Sequence, residues 1–132
     1  MLVNCTLLID DDKATNFYNK KVLSRHDSFN EIRVVYSGKE ALEYLIESKD
    51  GKNVKPNFIF LDLNMPAMNG WEFLVEFKKL NQEITAGIKI FIVTTSSDPN
   101  DINKAIENKL INDFINKPLS LGLLEDLLSK VS

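Results

Sequence analysis

The sequence predicts an α/β fold whose parallel sheet is built from β-α-β units. Short apolar runs alternate with amphipathic segments of helical period along all 132 residues, which is the pattern of such units. Several runs are apolar at every position, as expected of strands that helices cover on both faces. The predicted strands are Thr6–Ile9, Ile32–Val35, Phe58–Leu61, Ile88–Val93 and Leu110–Ile115.

Five helices are predicted after these strands. The first two carry apolar residues at helical spacing: Phe17, Val22 and Leu23 within Lys13–Arg25, and Ala41, Leu42, Leu45 and Ile46 within Gly38–Glu47. The second to fifth helices have recognisable start signals. These are, in order, Ser37 with Glu40 as a capping box, Asn69 with Glu72, Asp98 before Pro99, and Ser120 before the leucine stripe 121, 124, 127 and 128. The segments Lys49–Asn57 and Lys79–Gly87 are expected to be surface loops.

Composition indicates one ordinary globular domain over residues 1–132, and we expect no output domain. A net charge of -3 and a pI near 5.2 argue against a non-specific nucleic-acid surface, which needs clustered Lys and Arg. We expect no signal peptide, because the N-terminus lacks a basic region, and no run approaches the ~20 apolar residues of a membrane span. A lone cysteine, Cys5, is expected to be a small buried hydrophobe of a cytoplasmic protein.

Four of the predicted strands end on polar residues suited to phosphate and metal chemistry: Asp10-Asp11-Asp12, Asp62, Thr94-Thr95 and Lys117. Ligands of open parallel sheets bind outside the carboxyl ends of the strands, so these side chains are expected to converge. Thr95 and Ser96 are alternatives to Thr94 if the register of the strand differs by one residue.

The aspartate run predicts a site for a hard divalent cation, since adjacent carboxylates at a strand end repel one another. Magnesium is held by one or two carboxylates plus phosphate and water, whereas zinc lacks its Cys and His ligands here. Asp12 is the exception, because it is expected to cap the helix that begins near Lys13.

Asp62 is placed to act as a nucleophile toward phosphorus, provided that a metal and a cationic side chain neutralise the phosphoryl oxygens. Pro66 and Gly70 are expected to shape the loop after Asp62 and to turn the Asn64 carbonyl toward the metal. Lys117, which Pro118 holds in an extended conformation, is the expected partner of the phosphoryl group.

These residues make the sequence resemble the receiver domain of two-component response regulators, from Leu7 to nearly the last residue. The segment from Ile59 to Pro66 and on to Gly70 carries most of the resemblance, supported by Asp10-Asp11, Thr94 and Lys117-Pro118. It implies a doubly wound, flavodoxin-like sheet of five strands in the order 2-1-3-4-5 with five helices.

The resemblance also implies a role for each residue of the site. Asp62 is the phosphoacceptor, Asp11 is a direct ligand of Mg²⁺, and Asp10 acts on the metal through water. The remaining expectations are that the Asn64 backbone carbonyl completes the metal ligands, Lys117 pairs with the phosphoryl group, Thr94 is the switch hydroxyl and Phe114 is the switch aromatic.

The function implied is that of a stand-alone regulator rather than a turnover enzyme. A sensor histidine kinase or histidine phosphotransfer protein donates the phosphoryl group, which is lost slowly by hydrolysis or passed on. The surface around the fourth helix, fifth strand and fifth helix is expected to change and to bind an unknown protein target. His26 is distant in sequence from every strand-end motif, and an ordinary surface role is expected for it.

The sequence departs from the family pattern in two places: Thr95 stands where a small residue is common, and Lys109-Leu110 stands where a Gly-Ala-like pair is common. Two other functions stay open. One is a small Mg-dependent phosphohydrolase with an aspartyl-phosphate intermediate, since Asp10 and Asp12 have the Asp-x-Asp spacing. The other is a docking module that is not phosphorylated.

Overall fold

The structure is a computed structural model that describes residues 2–95 and 97–131. Strands and helices alternate through these residues. The strands are β1 (Val3–Ile9), β2 (Phe29–Val35), β3 (Phe58–Leu61), β4 (Lys89–Thr94) and β5 (Ile111–Asn116). The helices are α1 (Lys13–Ser24), α2 (Gly38–Lys49), α3 (Gly70–Lys79), α4 (Gln82–Thr85), α5 (Pro99–Glu107) and α6 (Leu121–Val131).

The five strands form one parallel sheet in the order β2-β1-β3-β4-β5, which confirms the predicted order. β1 and β2 each begin three residues before the predicted start, because Val3 pairs with Phe29 and extends the ladder. The sequence did not reveal this extension, because it includes the polar residues Asn4, Asn30 and Glu31. They lie near the β2 edge of the sheet, where a strand does not need to be apolar throughout.

Helices cover both faces of the sheet, each over its own apolar core. One core joins α2 and α3 to the central strands, and the other joins α1 and α6 to the opposite face. Phe91 lies at the centre of the second core, with its ring 4.9 Å from that of Phe58 and 5.5 Å from that of Phe60. Such edge-to-face pairs add to the stabilisation from apolar burial.

The described residues contain six helices instead of the five predicted, because the segment expected to be a polar loop contains α4. Asn81 caps this short helix by accepting the Glu83 N–H at 2.9 Å, and Ile84 is buried in the core beneath it. A single apolar residue among polar neighbours gives no periodic signal, so the sequence did not reveal this turn. The fourth and fifth helices of the prediction are therefore α5 and α6.

The buried face of α1 differs from the predicted one. Val22 and Leu23 are buried as expected, but Phe17 is 73% exposed. The first two turns instead bury Asn16 and Asn19 against the sheet. Helical spacing of apolar residues predicted the helix correctly and its orientation only in part, since polar side chains complete the inner face.

The predicted helix starts are confirmed. Ser37 accepts the Glu40 N–H, although the Glu40 carboxylate accepts the Tyr36 N–H rather than that of Ser37. Asn69 and Glu72 form the complete reciprocal capping box. Asp98 and Ser120 accept hydrogen bonds from the N–H groups of Asn100 and Leu123, respectively.

Two side chains outside the strand ends also have defined places. Cys5 is buried as predicted, and its burial raises the pKa of the thiol. His26 is less exposed than a surface role implies, because its ring packs on Phe29 and its Nε2 lies 2.6 Å from Glu125 Oε1 on α6. Among residues 2–95 and 97–131, no helix has the length and apolar character that a membrane span needs.

Candidate functional site

The sheet brings Asp10, Asp11 and Asp62 together at the carboxyl ends of its strands. Ile9 and Leu61 are paired residues of the neighbouring strands β1 and β3, so the next residue of each strand lies at the same edge. One carboxylate oxygen from each of the three aspartates lies within 4.8 Å of the others. The predicted convergence of the acidic residues is therefore confirmed.

Lys117 follows β5 at the same edge and contacts two of these carboxylates. Its Nζ lies 2.6 Å from Asp10 Oδ2 and 3.5 Å from Asp62 Oδ1, so the side chain extends past the end of β4 to reach them. The Lys117 N–H donates to the Thr94 carbonyl at 2.9 Å, which fixes the start of this segment against β4. The predicted lysine is thus part of the acidic site.

The site is buried and carries an excess of negative charge. Asp10 and Asp62 are 4% and 6% exposed, whereas Asp11 is exposed. Burial raises the pKa of Asp62, and the Asp10 carboxylate raises it further. Lys117 and a hydrogen bond from the Asn64 backbone N–H act in the opposite direction on this pKa without cancelling the rise. A second positive charge near Asp62 would therefore be stabilising.

Neighbouring backbone and side-chain groups form hydrogen bonds with Asp10. Its Oδ1 accepts the Asp12 N–H at 3.0 Å, and its carbonyl accepts Asn16 Nδ2 at 2.7 Å. Asn16 was missed by the sequence analysis, where the only available signal was a polar residue on the inner face of α1. This asparagine ties the first turn of α1 to the strand end that carries the site.

Asp12 has the capping role that the sequence predicted. Its Oδ1 accepts the Ala14 N–H at 3.0 Å, and its Oδ2 accepts the Thr15 hydroxyl at 2.8 Å. Both oxygens are therefore engaged at the start of α1, outside the cluster that Asp10 forms with Asp62. The capping role of Asp12 therefore does not favour the Asp-x-Asp site of a phosphohydrolase.

The loop after Asp62 contains a strained residue and a close backbone contact. Ala67 has a φ of 66°, and the Met68 N–H donates to the Pro66 carbonyl at 2.7 Å, which closes a γ-turn of the rare positive-φ form. Gly70 donates its N–H to the Leu63 carbonyl at 2.9 Å and leaves no room for a side chain there. Pro66, Ala67 and Gly70 together determine the path of the chain after Asp62.

We expect Ala67→Gly to raise the free energy of unfolding by about 0.5–1 kcal/mol. Removing Cβ relieves a positive-φ cost of about 1–2 kcal/mol, part of which the greater entropy of unfolded glycine offsets. Urea unfolding measures the change. Ala86→Gly is the control, because Ala86 is exposed with a φ of -59° and its replacement should be destabilising. Equal losses in both variants would contradict the strain assigned to Ala67.

Thr94 and Phe114 lie on the same face of β4 and β5. Thr94 pairs with Asn116, and Ile92 pairs with Phe114, so the four side chains share the α5 side of the sheet. Thr94 is fully buried, and Phe114 is half-buried beside a cavity of about 200 Å³ that Ile106 of α5 also lines. Thr95 is exposed, and Ser96 lies outside the described residues.

The comparison with known families decides between the possible interpretations of this site. The profile of the response regulator receiver domain matches residues 6–129. The chain belongs to the response regulator receiver domain family. Receiver domains bind a divalent metal in an acidic pocket, and Asp10, Asp11 and Asp62 form an acidic cluster in this structure.

Similar proteins agree with this assignment. The chain is 31% identical over 121 residues to the probable methanogenesis regulatory protein FilR2 of Methanothrix harundinacea, covering 92% of this chain and 74% of that protein. It is 30% identical over 116 residues to the response regulator Rcp1 of Synechocystis, covering 87% of this chain and 77% of Rcp1.

Solved structures confirm the fold of the receiver domain. A two-component response regulator from Cytophaga hutchinsonii superposes with a TM-score of 0.89 at 33% identity, covering 99% of this chain and 98% of that one. The Mn²⁺-bound form of Rcp1 superposes with a TM-score of 0.73 at 29% identity, covering 96% and 88%.

Proposed function

We propose that the protein is a stand-alone, cytoplasmic response regulator that accepts a phosphoryl group on Asp62 in a Mg²⁺-dependent reaction. The observation that carries this proposal is the meeting of Asp10, Asp11 and Asp62 within 4.8 Å beside the ammonium group of Lys117. In this proposal no output domain is needed, since the receiver domain itself changes its surface and binds a target or passes the phosphoryl group on.

Asp62 has the properties of the phosphoacceptor. Its raised pKa makes the carboxylate a better nucleophile than an exposed one. The Lys117 ammonium group and the Asn64 backbone N–H lie beside it as hydrogen-bond donors. In the transfer, an Asp62 oxygen forms a bond to phosphorus as the phosphorus–nitrogen bond of a donor phosphohistidine breaks, and the imidazole leaves with a proton from solvent. Lys117 pairs with a phosphoryl oxygen.

The donor set of the site fits a hard divalent cation. It offers carboxylate oxygens from Asp10, Asp11 and Asp62, with the Asn64 carbonyl as a proposed further ligand. Within residues 2–95 and 97–131, Lys117 is the only cation that forms an ion pair with these acids. Bound Mg²⁺ supplies the positive charge that neutralises oxygens of the phosphoryl group. The existence of a Mn²⁺-bound form of the similar protein Rcp1 supports the proposal that this chain also binds a divalent ion.

A sensor histidine kinase or histidine phosphotransfer protein is proposed to dock beside the site. A groove of about 380 Å³ opens next to Lys117, between α1 and the segment that precedes α6. Tyr18, Thr95 and Pro118 line this groove, and the neighbouring Phe17 exposes 73% of its surface. An exposed aromatic residue near the acceptor is suited to contact a donor protein.

The switch is proposed to use Thr94, Lys117 and Phe114. A charge-assisted hydrogen bond contributes about 1.5–3 kcal/mol, whereas a shift from 1:99 to 99:1 needs about 5.5 kcal/mol. Thr94 and Lys117 must therefore both gain contacts to the phosphoryl group. Movement of Thr94 lets Phe114 fill the space toward α5 and alters the surface of α5, β5 and α6, where the target binds.

We expect Thr95→Ala to shorten the lifetime of the phosphorylated protein severalfold. Thr95 lies at the mouth of the groove that contains Lys117, so its loss widens the path of water to the phosphoryl group. The decay of the phosphorylated mass at fixed Mg²⁺ measures the lifetime. Thr85→Ala, on α4, is the remote control. Equal lifetimes of Thr95→Ala and wild type would remove this role.

Intact mass spectrometry tests the proposed function. Incubation with acetyl phosphate and Mg²⁺ should add one phosphoryl group to the wild type and none to Asp62→Asn or to protein treated with EDTA. Asp12→Asn is the matched control, because asparagine preserves the helix cap and this acid lies outside the site. A wild type without added mass, or an Asp62→Asn variant that gains it, would overturn the proposal.

A further inference from the structure

A second concave surface lies between α3 and α5, away from the acidic site and on the side of α5 that faces α3. It is a groove of about 870 Å³. Its floor is apolar and is formed by Trp71, Leu74, Val75 and Leu110. Val75 exposes 57% of its surface, which is a large apolar exposure for a helix that packs on the core.

Helix α5 contributes little to the core beside the groove. Among the described residues, Ala105 is the only residue of α5 that is fully buried. Trp71 instead contacts polar groups of α5: its Nε1 donates to Asp101 at 3.2 Å, and Lys104 Nζ lies 5.6 Å from its ring. A positive charge therefore lies beside the indole ring that lines the groove.

The rim of the groove is basic in a protein that is acidic overall. Lys78, Lys104 and Lys109 surround it, with Glu107 as the acid that also lines it. The whole chain has a net charge of -3, so this concentration of lysines is local. Complementary charge steers partners and fixes their orientation, which predicts an acidic occupant.

Two of the groove residues are those at which this chain departs from the family pattern. Lys109 and Leu110 replace the Gly-Ala-like pair, and they add one ammonium group to the rim and one isobutyl group to the floor. Lys109 therefore contributes to the basic rim of the groove, and Leu110 contributes to its apolar floor.

We propose that the groove between α3 and α5 binds an acidic amphipathic helix of a partner protein. Apolar side chains on one face of such a helix would fill the floor over Trp71 and Val75, and its carboxylates would pair with the lysines of the rim. This is the helix-in-groove mode of recognition. A small anion is a poorer fit, because the floor is apolar and the three lysines are distributed around it.

Trp71 is the only tryptophan of the chain and reports directly on occupancy through its fluorescence. The probe is a peptide of about three helical turns with leucine at positions i, i+3, i+4 and i+7 and glutamate elsewhere. Saturable change in Trp71 emission is expected, with NMR shifts confined to α3, α5 and residues 108–110. Charge reversal at Lys78, Lys104 and Lys109 to Glu should weaken binding about tenfold or more.

The matched control reverses three exposed lysines elsewhere, Lys20→Glu, Lys21→Glu and Lys39→Glu, and should bind the peptide like wild type. Circular dichroism verifies that both triple variants are folded. Three outcomes would overturn the proposal: no saturable binding, equal binding of a peptide with lysine in place of glutamate, or equal binding of a scrambled peptide. Competition by ATP at the same residues would assign the groove to a small anion instead.

Discussion

Lys117→Met is expected to lower the free energy of unfolding by about 3 kcal/mol at pH 7 in metal-free buffer. The ammonium group is 2.6 Å from Asp10 and 3.5 Å from Asp62, two carboxylates that are almost completely buried. Removing one partner leaves these charges buried without compensation, which costs about 3–5 kcal/mol in comparable cases. The variant should also fail to accept a phosphoryl group.

The loss should be smaller at pH 5 than at pH 7. The pKa of Asp62 is already raised in the wild type and rises further without Lys117, so the folded variant binds more protons than the unfolded chain. Its stability therefore decreases as the pH rises through the folded pKa. Urea unfolding at both pH values measures this difference.

Two further variants distinguish the effect of breaking the buried ion pairs of Lys117 from the effect of removing any lysine charge. Lys130→Met removes an ammonium group 3.2 Å from Asp113, but that lysine is 65% exposed and its loss should cost less than about 1 kcal/mol. Adding Asp10→Asn to Lys117→Met should recover much of the lost stability. Equal losses for both lysine variants would show that the charges of the site are not coupled.

Gly70→Ala is expected to destabilise the protein by about 1–3 kcal/mol and to abolish phosphorylation. A Cβ at this position would lie 2.7 Å from the Asp62 carbonyl oxygen and 2.9 Å from the Leu63 Cα. Both are backbone atoms, so relief requires movement of the segment that carries Asp62, the proposed phosphoacceptor. A displacement of about 1 Å is enough to lower a reaction rate by two orders of magnitude.

Gly122→Ala is the control for the added methyl group. Its Cβ would meet nothing closer than Ser120 Oγ at 3.9 Å, and it lies within α6, where alanine is the better helix former. Urea unfolding and the phosphorylated fraction should be measured on both variants. Full phosphorylation of Gly70→Ala would contradict the role of this glycine in placing Asp62.

The fold and most of the site could be predicted because both depend on patterns that are local in sequence. Alternating apolar runs identified the strands, and parallel order alone brings Asp10 and Asp62 to the same edge. Capping was equally local: Asp12 and Asn69 engage the N–H groups that their spacing indicated. Lys117 needed the fold as well, since it reaches the site past β4.

The features that escaped prediction depend on tertiary contacts. Phe17 had the spacing of a core residue, yet Asn16 and Asn19 occupy the inner face of α1 because Asn16 hydrogen-bonds to the strand end. The short helix α4 depends on Ile84 inserting into the core, which no periodic pattern announces. The positive φ of Ala67 is also invisible in the sequence, since alanine does not signal that conformation.

The most direct test of the central claim is to locate the phosphoryl group after treatment with acetyl phosphate and Mg²⁺. Borohydride reduces an aspartyl phosphate to homoserine, and peptide mass mapping then identifies the reduced position. Asp62 is expected to be the position converted, and only when the divalent cation is present. Homoserine at Asp10, Asp11 or another aspartate, or equal conversion of Asp62 in EDTA, would contradict a phosphoacceptor activated by this cluster.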